Sequence, residues 1–443
     1  MSVPMAAWRR GLVVAVLGVG ALFVAQLAPA WRPATVVPSG DGATGPSEGP
    51  EDAERAGKWR RARPGAPSPE QAAEMKALEA IGYVDGSEAV SAPVSITVNT
   101  PQATPGYNLW CSGHTSEAYL TRLDGAVVAS WQVGWKQAFP ASKLRQGEPG
   151  TNHFRRVKPF GAGGLLAIFE GRGAVALDRD SRLVWALDNR AHHDAVVRPD
   201  GTVLLLTRTA EMVPELDPVK PVLLDDIVTI GPTGEERGRL SLLDALMQSD
   251  HRRLLEGRVH HGDVFHTNSI AELDGRAAAV DPAFAKGNLL LSLRNLDALV
   301  VVDPRVERVV WSARGDFRKQ HDAQVVGPDR LTLFDNEGPA DGSRALTLRL
   351  PDLAPLASWG GVPGQPLDSS TLGTMQTLSN GHRLITESDG GRAVEVAEDG
   401  RVVWEMFNPH RAGEQGQWIA ALFEVRRLTE AEVAAWGALP ASR

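Results

Sequence analysis

A short unit recurs along this chain: a turn of Asn/Asp-Gly type, then a β-rich stretch that closes on Val-Val-Trp or a near relative. Asp124-Gly125 leads to Trp131, Val309-Val310-Trp311 closes a second copy, and Asp399-Gly400 leads to Val402-Val403-Trp404. Leu183-Val184-Trp185 and Trp359 are weaker copies, and Leu240, after Pro232-Thr233-Gly234, stands where another copy would have tryptophan. Self-similarity at a period of roughly 40–55 residues marks a repeat architecture. Within each copy, short strands at roughly 8–12-residue spacing predict the four-stranded blade of a β-propeller. A β-helix needs a much shorter period, and a sandwich does not repeat one motif. Units starting near Leu109, His153, His193, His266, His321 and Thr374 give an all-β, six-bladed β-propeller. The closing aromatic is expected to wedge between neighbouring blades, which accounts for 12 Trp against 3 Tyr. The stretch around residues 418–425 is expected to close the ring by pairing with the first blade, since an open ring leaves sheet edges exposed.

One insertion breaks the rhythm. Between residues 222–230, an outer strand of the third blade, and His266, residues 241–256 read as a helix with Leu242, Leu243, Leu246, Leu254 and Leu255 on its apolar face. It is expected to pack over one end of the ring, with a lid or a dimer contact as alternatives.

The remaining segments divide the chain further. Arg9 and Arg10 precede an apolar run, residues 11–25, followed by Gln26-Leu27-Ala28-Pro29-Ala30. A basic start, an apolar stretch and an Ala-x-Ala site describe a secretory signal. The run is also almost long enough for an uncleaved membrane anchor. Residues 1–31 are therefore a signal peptide or an anchor helix, with a membrane tether through residues 9–31 in the second case. Both place the rest outside the cytoplasm, periplasmic or otherwise extracytoplasmic. Residues 32–68, rich in Pro, Gly, Ala and charge, read as a flexible linker. Residues 69–104 hold a short helix, capped by Ser68 with Pro69 at its first position, and a lead-in strand at 94–99. The propeller spans 105–428, and 429–443 form a C-terminal tail.

Composition removes several functions. Lys+Arg 46 against Asp+Glu 54 gives a net charge of −8, the wrong sign for holding a nucleic-acid backbone. With 1 Cys, Cys111, the chain has no internal disulfide and no thiolate cluster for zinc or iron–sulfur.

His193-Asp194-Ala195, His266-Thr267-Asn268 and His321-Asp322-Ala323 open three successive blades. The innermost strand of each blade lines the central channel, so these imidazoles converge at one mouth. His153 and His193 are each followed five residues later by a basic residue and then Pro-x-Gly, a register that selects His193 over His192. Imidazoles gathered together repel when protonated, so the cluster points to an anion or a metal. His114, His251, His382 and His410 have no repeat partner and read as structural or solvent-facing; His260 and His261 lie on the insertion. Arg294, in Leu289-Leu290-Leu291-Ser292-Leu293-Arg294-Asn295, follows an apolar strand and needs a partner. That partner is a carboxylate such as Asp335 or Asp297, or else a tetrahedral oxyanion that suits its forked donors.

Further motifs carry a resemblance. Pro105-Gly106-Tyr107-Asn108-Leu109, Ser112-Gly113-His114, His266-Thr267-Asn268-Ser269, Ser292-Leu293-Arg294-Asn295, Gln320-His321-Asp322, Phe334-Asp335-Asn336 and the run from Asn380-Gly381 to Glu387 resemble the bacterial arylsulfotransferases over roughly residues 105–425. The resemblance implies transfer of a sulfuryl group from an aryl sulfate to a phenol, without phosphoadenosine phosphosulfate, and with no cofactor or metal. Consistently, the sequence has no Gly-rich phosphate loop followed by Lys-Ser/Thr. It makes His321 the nucleophile that becomes a sulfohistidine and His266 and Asn268 the His-x-Asn pair. Arg294 becomes the sulfate-binding arginine and His193 a further catalytic or substrate-binding histidine. His193 or His266 would serve as acid and base. The chain departs from the family in lacking a β-sandwich domain before the propeller and the family's disulfide, and in carrying Glu337 where Gly follows Phe-Asp-Asn. Two rivals stand beside this reading. One is a metal-dependent multi-histidine propeller enzyme, against which a neighbouring arginine argues. The other is a non-catalytic, envelope-tethered binding propeller.

Overall fold

The computed structural model describes residues 87–88, 95–256, 262–338, 342–412, 416 and 418–439. The signal or anchor at 1–31, the linker at 32–68, the helix expected from residue 69, and His260 and His261 lie outside the described residues.

Six antiparallel blades form the propeller. Blade two runs from its inner to its outer strand as Arg156–Phe160, Gly164–Phe169, Gly173–Leu177 and Leu183–Leu187. Blades three, four, five and six begin with inner strands Ala191–Val197, Thr267–Glu272, His321–Val325 and Thr374–Thr377. Blade one is composite. Its inner strand is Leu422–Leu428, and Tyr107–Ser112 is its second strand. The expected closure is present, but the blade start expected near Leu109 is corrected: Leu109 sits one strand out from the channel. Ser95–Asn99 adds a fifth, outermost strand to blade six by pairing with Val402–Phe407.

Second strands such as Gly164–Phe169 and Leu289–Leu293 are buried throughout and apolar except for Ser292, because both faces of a blade pack on its neighbours. Outer strands alternate, as Arg308–Ala313 does with Val309 and Trp311 inward. The closing tryptophans bridge the seams. The indole Nε1–H of Trp131 donates to Gly163 O in blade two, that of Trp185 to Pro232 O in blade three, that of Trp359 to Gly400 O in blade six, and that of Trp404 to Leu123 O in blade one, at 2.9–3.3 Å. The acceptors are turn carbonyls. Gly125, Gly234 and Gly400 hold φ of 88°, 94° and 87° in those third-to-fourth-strand turns, a region open to glycine.

On their channel side the inner strands have no strand partner, so side chains of the adjacent blade take their N–H groups. Asp194 accepts from Ile270 N at 3.2 Å, Ser269 Oγ from Ala323 N at 3.3 Å, Asp322 from Met375 N at 3.0 Å, and Thr386 Oγ1 from Val425 N at 3.0 Å.

The insertion is shorter than its leucines suggest. Ser241 caps a helix at Leu242–Met247, and Arg252–Leu255 is a separate 3-10 turn. Ser249 Oγ donates to Leu246 O at 2.7 Å, a local bond that competes with continued helix. Leu242, Leu243, Ala245 and Leu246 are buried in one apolar cluster with Val300, Val302 and Val309, so the helix packs between blades three and four. Residues 430–436, expected as part of a tail, form a helix with a Thr429/Glu432 capping box. Its Trp436 stacks on Trp131 with ring centroids 5.0 Å apart. Cys111 lies buried in blade one, its thiol pushed up to about 12 by burial and by Glu424. Among the described residues no helix is long and apolar enough to cross a membrane.

Trp404 tests the seam. Trp404→Ala is expected to destabilise the fold by about 3–5 kcal/mol. Trp404→Phe, which keeps much of the packing but loses the bond to Leu123 O, is expected to cost about 1 kcal/mol for that bond plus a packing share. Chemical denaturation of the two variants checks the order.

Candidate functional site

The inner strands of blades three, four and five each begin with an irregularity. Register shifts between Ala191 and Ala195, between Thr267 and Ser269, and between His321 and Gln324. His193, His266 and Asp322 take left-handed backbone conformations, with φ of 51°, 49° and 52°. Such backbone costs about 1–2 kcal/mol for a non-glycine residue and clusters at functional sites. Here it lets adjacent side chains, such as His192 and His193, meet instead of pointing to opposite faces.

Of the four residues expected to converge, His193 and His266 are in ring contact, and His321 and Arg294 lie near enough to share their electrostatics. The His193 and His266 ring centroids are 4.8 Å apart. His321 lies within electrostatic reach of His193, His266 and Arg294. Neither carboxylate expected for Arg294 pairs with it. Arg294 starts a 3-10 turn at the end of the second strand of blade four, and its Nη1 donates to Asn295 Oδ1 at 3.0 Å. Asp335 is taken by Arg344, and Asp297 accepts from Lys319 N. Asn268 is buried, and its amide donates to Gln320 O at 2.7 Å, bracing the residue before His321.

Local partners set the imidazole tautomers. His321 Nδ1 lies 2.7 Å from Asn336 Oδ1 and 3.0 Å from Lys319 O. The Asn336 amide nitrogen donates to Ser369 O and Leu372 O, which fixes its oxygen toward the ring. Both neighbours of Nδ1 are acceptors, so the proton sits on Nδ1 and the lone pair on Nε2. Burial holds the His321 imidazole well below its usual range, with Arg155 and Arg294 adding to the effect. His193 is also lowered by burial and by His266 and Arg155. His266 Nδ1 is 2.8 Å from Asp263 Oδ2, a direct carboxylate partner.

Arg155 is the main residue that sequence reasoning missed. The Pro-x-Gly register placed His153 opposite His193. In the structure Pro159 is paired inside its strand with Leu165, whereas Pro199 lies in the turn beyond Val197. The true alignment therefore moves two residues on: Arg155 precedes Arg156 as His193 precedes Asp194. Arg155 is 1% exposed and its three guanidinium nitrogens make no hydrogen bond; its nearest counter-charge is Glu170, at 3.7 Å. The buried pair Arg155-Arg156 at a blade start was the available signal. Asn336 stood in a noted motif without a role, and Glu170, His192, Asp225 and Asp263 gave no repeat signal.

Below the imidazoles lies an ionic floor. Arg156 Nη1 is 3.0 Å from Glu424 and its Nε 3.5 Å from Asp194, while Lys158 Nζ is 3.1 Å from Asp194. Burial opposes the charge on Glu424, yet Arg156 and Lys158 draw its carboxyl down to about 2. A cavity of about 600 Å³, lined by Lys158, Asp194, Gln324, Arg426, Glu432 and Trp436 among others, opens at the other end of the channel and does not include the histidines. On the imidazole side, His153 packs on Phe423 (4.9 Å), and His114 stacks on His410 (3.4 Å) beside Tyr119. His382 and His251 are tied to Glu395 and Ser312, as structural histidines are.

Glu170, His192 and His193 offer ligand atoms within 4.8 Å of one another, a spacing a metal could use. The Arg155 guanidinium beside Glu170 and a direct 2.9 Å contact between the two Nδ1 atoms make this a hydrogen-bonded set whose counter-charge is a guanidinium.

Comparison with known proteins follows this geometry. No curated protein gives a significant match. A Bacteroides caccae protein of unknown function has a similar structure at 15% identity and TM-score 0.45, covering 68% of this chain and 94% of that one. The β-propeller domain of Cps50 (Swd1) from Myceliophteria thermophila follows at 12% and 0.42, covering 77% and 100%, and a streptogramin B lyase at 10% and 0.35, covering 62% and 81%. The family model described as arylsulfotransferase (ASST) matches residues 163–409, more than half the chain and three of the blades that carry the histidines and Arg294. The chain belongs to the arylsulfotransferase family.

Proposed function

We propose that this protein moves a sulfuryl group from an aryl sulfate to a phenolic acceptor through a sulfohistidine on His321, without phosphoadenosine phosphosulfate. The observation that carries the reading is the His321 imidazole itself: neutral, buried, its Nδ1–H held by Asn336 and Lys319 O, and set among Arg155 and Arg294.

Sulfuryl transfer, like phosphoryl transfer, asks mainly for positioning and charge stabilisation. In the first half-reaction the His321 Nε2 lone pair attacks sulfur, the N–S bond forms and the S–O bond to the aryl group breaks in line. Arg155 and Arg294 stabilise the equatorial oxygens, and the unbonded guanidinium nitrogens of Arg155 are donors ready for that role. Asn268 keeps the segment before His321 in place. The leaving phenolate, whose phenol has a pKa near 10, takes a proton from His266 or His193, and the same group later removes the acceptor's proton. His153, backed by the buried Phe423, and the His114–His410 stack supply aromatic surface for aryl rings. Splitting the transfer gives ping-pong kinetics. The leader at 1–31 suggests that the reaction takes place outside the cytoplasm, on a secreted or tethered protein.

Incubation with an activated aryl sulfate and a phenol is expected to yield transfer by the wild type and none by His321→Ala, with an added sulfuryl group found by mass on His321. Equal turnover of both removes the nucleophile assignment. Arg155→Met and Arg294→Met are each expected to lower kcat/KM roughly 10²–10³-fold.

A pH series checks the electrostatics. Because the folded His321 is held below the ordinary value, Nε2 stays unprotonated as pH falls through about 6.5, and the rate of His321 sulfation should not drop there. Stability should fall over that range instead. The unfolded chain takes up protons at His192, His193 and His321 that the native protein does not, so stability is highest above about 6.5 and is lost on acidification.

A further inference from the structure

Behind His193 the imidazole chemistry continues away from the channel. Glu170 Oε1 is 3.4 Å from His193 Nδ1, and Glu170 Oε2 accepts from the His193 backbone N–H at 3.2 Å. An ionised carboxylate only accepts, so it favours a proton on His193 Nδ1. His192 Nδ1 lies 2.9 Å from the same nitrogen. Two Nδ1 atoms at hydrogen-bond distance cannot both carry hydrogen in neutral rings, so His192 Nδ1 accepts. The His192 proton then sits on Nε2, which faces Asp225 Oδ1 at 3.5 Å without a hydrogen bond, so a transfer between them needs the two groups to approach further. His193 keeps its lone pair on Nε2, the side of the ring away from Glu170 and His192. The polarity is consistent from end to end, and all four residues are buried.

We propose that His193, His192 and Asp225 form a proton relay that loads and discharges the phenolic proton of the sulfuryl transfer. The proposal rests on the reading given above. When the acceptor attacks the sulfohistidine, its O–H bond breaks and an N–H bond forms at His193 Nε2. The Nδ1 proton of His193 passes to His192 Nδ1, and the Nε2 proton of His192 passes to Asp225. No charge is left on a buried imidazole. When the next aryl sulfate arrives, the shifts run in reverse and the leaving phenolate is protonated. Each cycle stores one proton and returns it, so the balance closes without bulk water.

The surroundings suit the role. Burial and the neighbouring Asp263 push the Asp225 carboxyl above its usual range, which favours its taking up a proton. Thr267 N donates to Asp225 Oδ2 at 2.7 Å and fixes the carboxyl for His192. The charged or titratable groups around the relay are Glu170, Arg208, Asp263, His266, Arg155 and His321. His266 has a carboxylate partner of its own in Asp263, which also neighbours Asp225.

The test uses the full-length protein, Asp225→Asn and His192→Gln, and a series of aryl sulfate donors. The rate read is that of His321 sulfation without acceptor, which isolates the donor half-reaction. With an activated nitrophenyl donor the leaving group needs little help, and both variants should keep this rate within a few-fold of wild type. With donors whose phenols have pKa near 10 it should fall roughly 10²-fold, steepening the dependence on leaving-group pKa. An equal loss with every donor, or none with any, overturns the relay and leaves a structural role. ¹⁵N NMR of histidine-labelled protein is the second arm. It is expected to find the proton on Nδ1 of His193 and on Nε2 of His192 in the sulfated enzyme and the reverse pairing in the free enzyme; the same pairing in both states, or a stoichiometric bound metal, overturns the proposal. Absence of transfer by the wild type would remove the function proposed above, and the NMR arm still decides the hydrogen-bond polarity by itself.

Discussion

Everything in this molecule hangs on a pairing between two strands at opposite ends of the described chain. Leu422–Leu428 lies antiparallel against Tyr107–Ser112, and the two share blade one. Without that pairing the ring has two free edges and the inner strands lose their fixed spacing. The cross-blade hydrogen bonds from Asp194, Ser269, Asp322 and Thr386 depend on that spacing. They in turn hold the turns on which the imidazoles sit. Tryptophan bridges seal the outside of the seams between blades five and six and between six and one, where the ring is tied at both radii, and they also join blades one to two and two to three.

The channel is organised by depth. At one level sit neutral imidazoles with arginines between them, a place for an anion. One step further in, Arg156, Lys158, Asp194, Asp322 and Glu424 neutralise one another. The separation matters because burying guanidinium groups without partners is costly. The floor gives Arg156 two counter-charges, Asp194 and Glu424, and leaves Arg155, its chain neighbour, hydrogen-bonding capacity that a sulfuryl group can use. That division of labour between adjacent residues comes from the pleat of a single strand.

Much of this was legible in the sequence. The Val-Val-Trp endings gave the blades and their seams, and the recurring histidines gave the mouth of the channel. Three things were not legible, each for a local physical reason. The phase of blade one is hidden because its inner strand is contributed from the far end of the chain. Arg155 was passed over for His153 because Pro159 is accommodated within a strand, which shifts the repeat by two residues. The carboxylates behind the imidazoles, Glu170, Asp225 and Asp263, come from second and third strands and a loop, at positions that no repeat marks. The leucine-rich insertion also misled, because Ser249 ends the helix before the leucine spacing does.

The composite blade has a kinetic corollary. Asn108 and Arg427, which share a hydrogen bond across it, are 319 positions apart. A contact so distant forms late, since loop closure must precede any gain from it. Until then the molecule is an arc with two unsatisfied borders of complementary shape. Either border can accept its counterpart from another copy, so crowding during refolding would favour exchanged, interlinked rings over single ones.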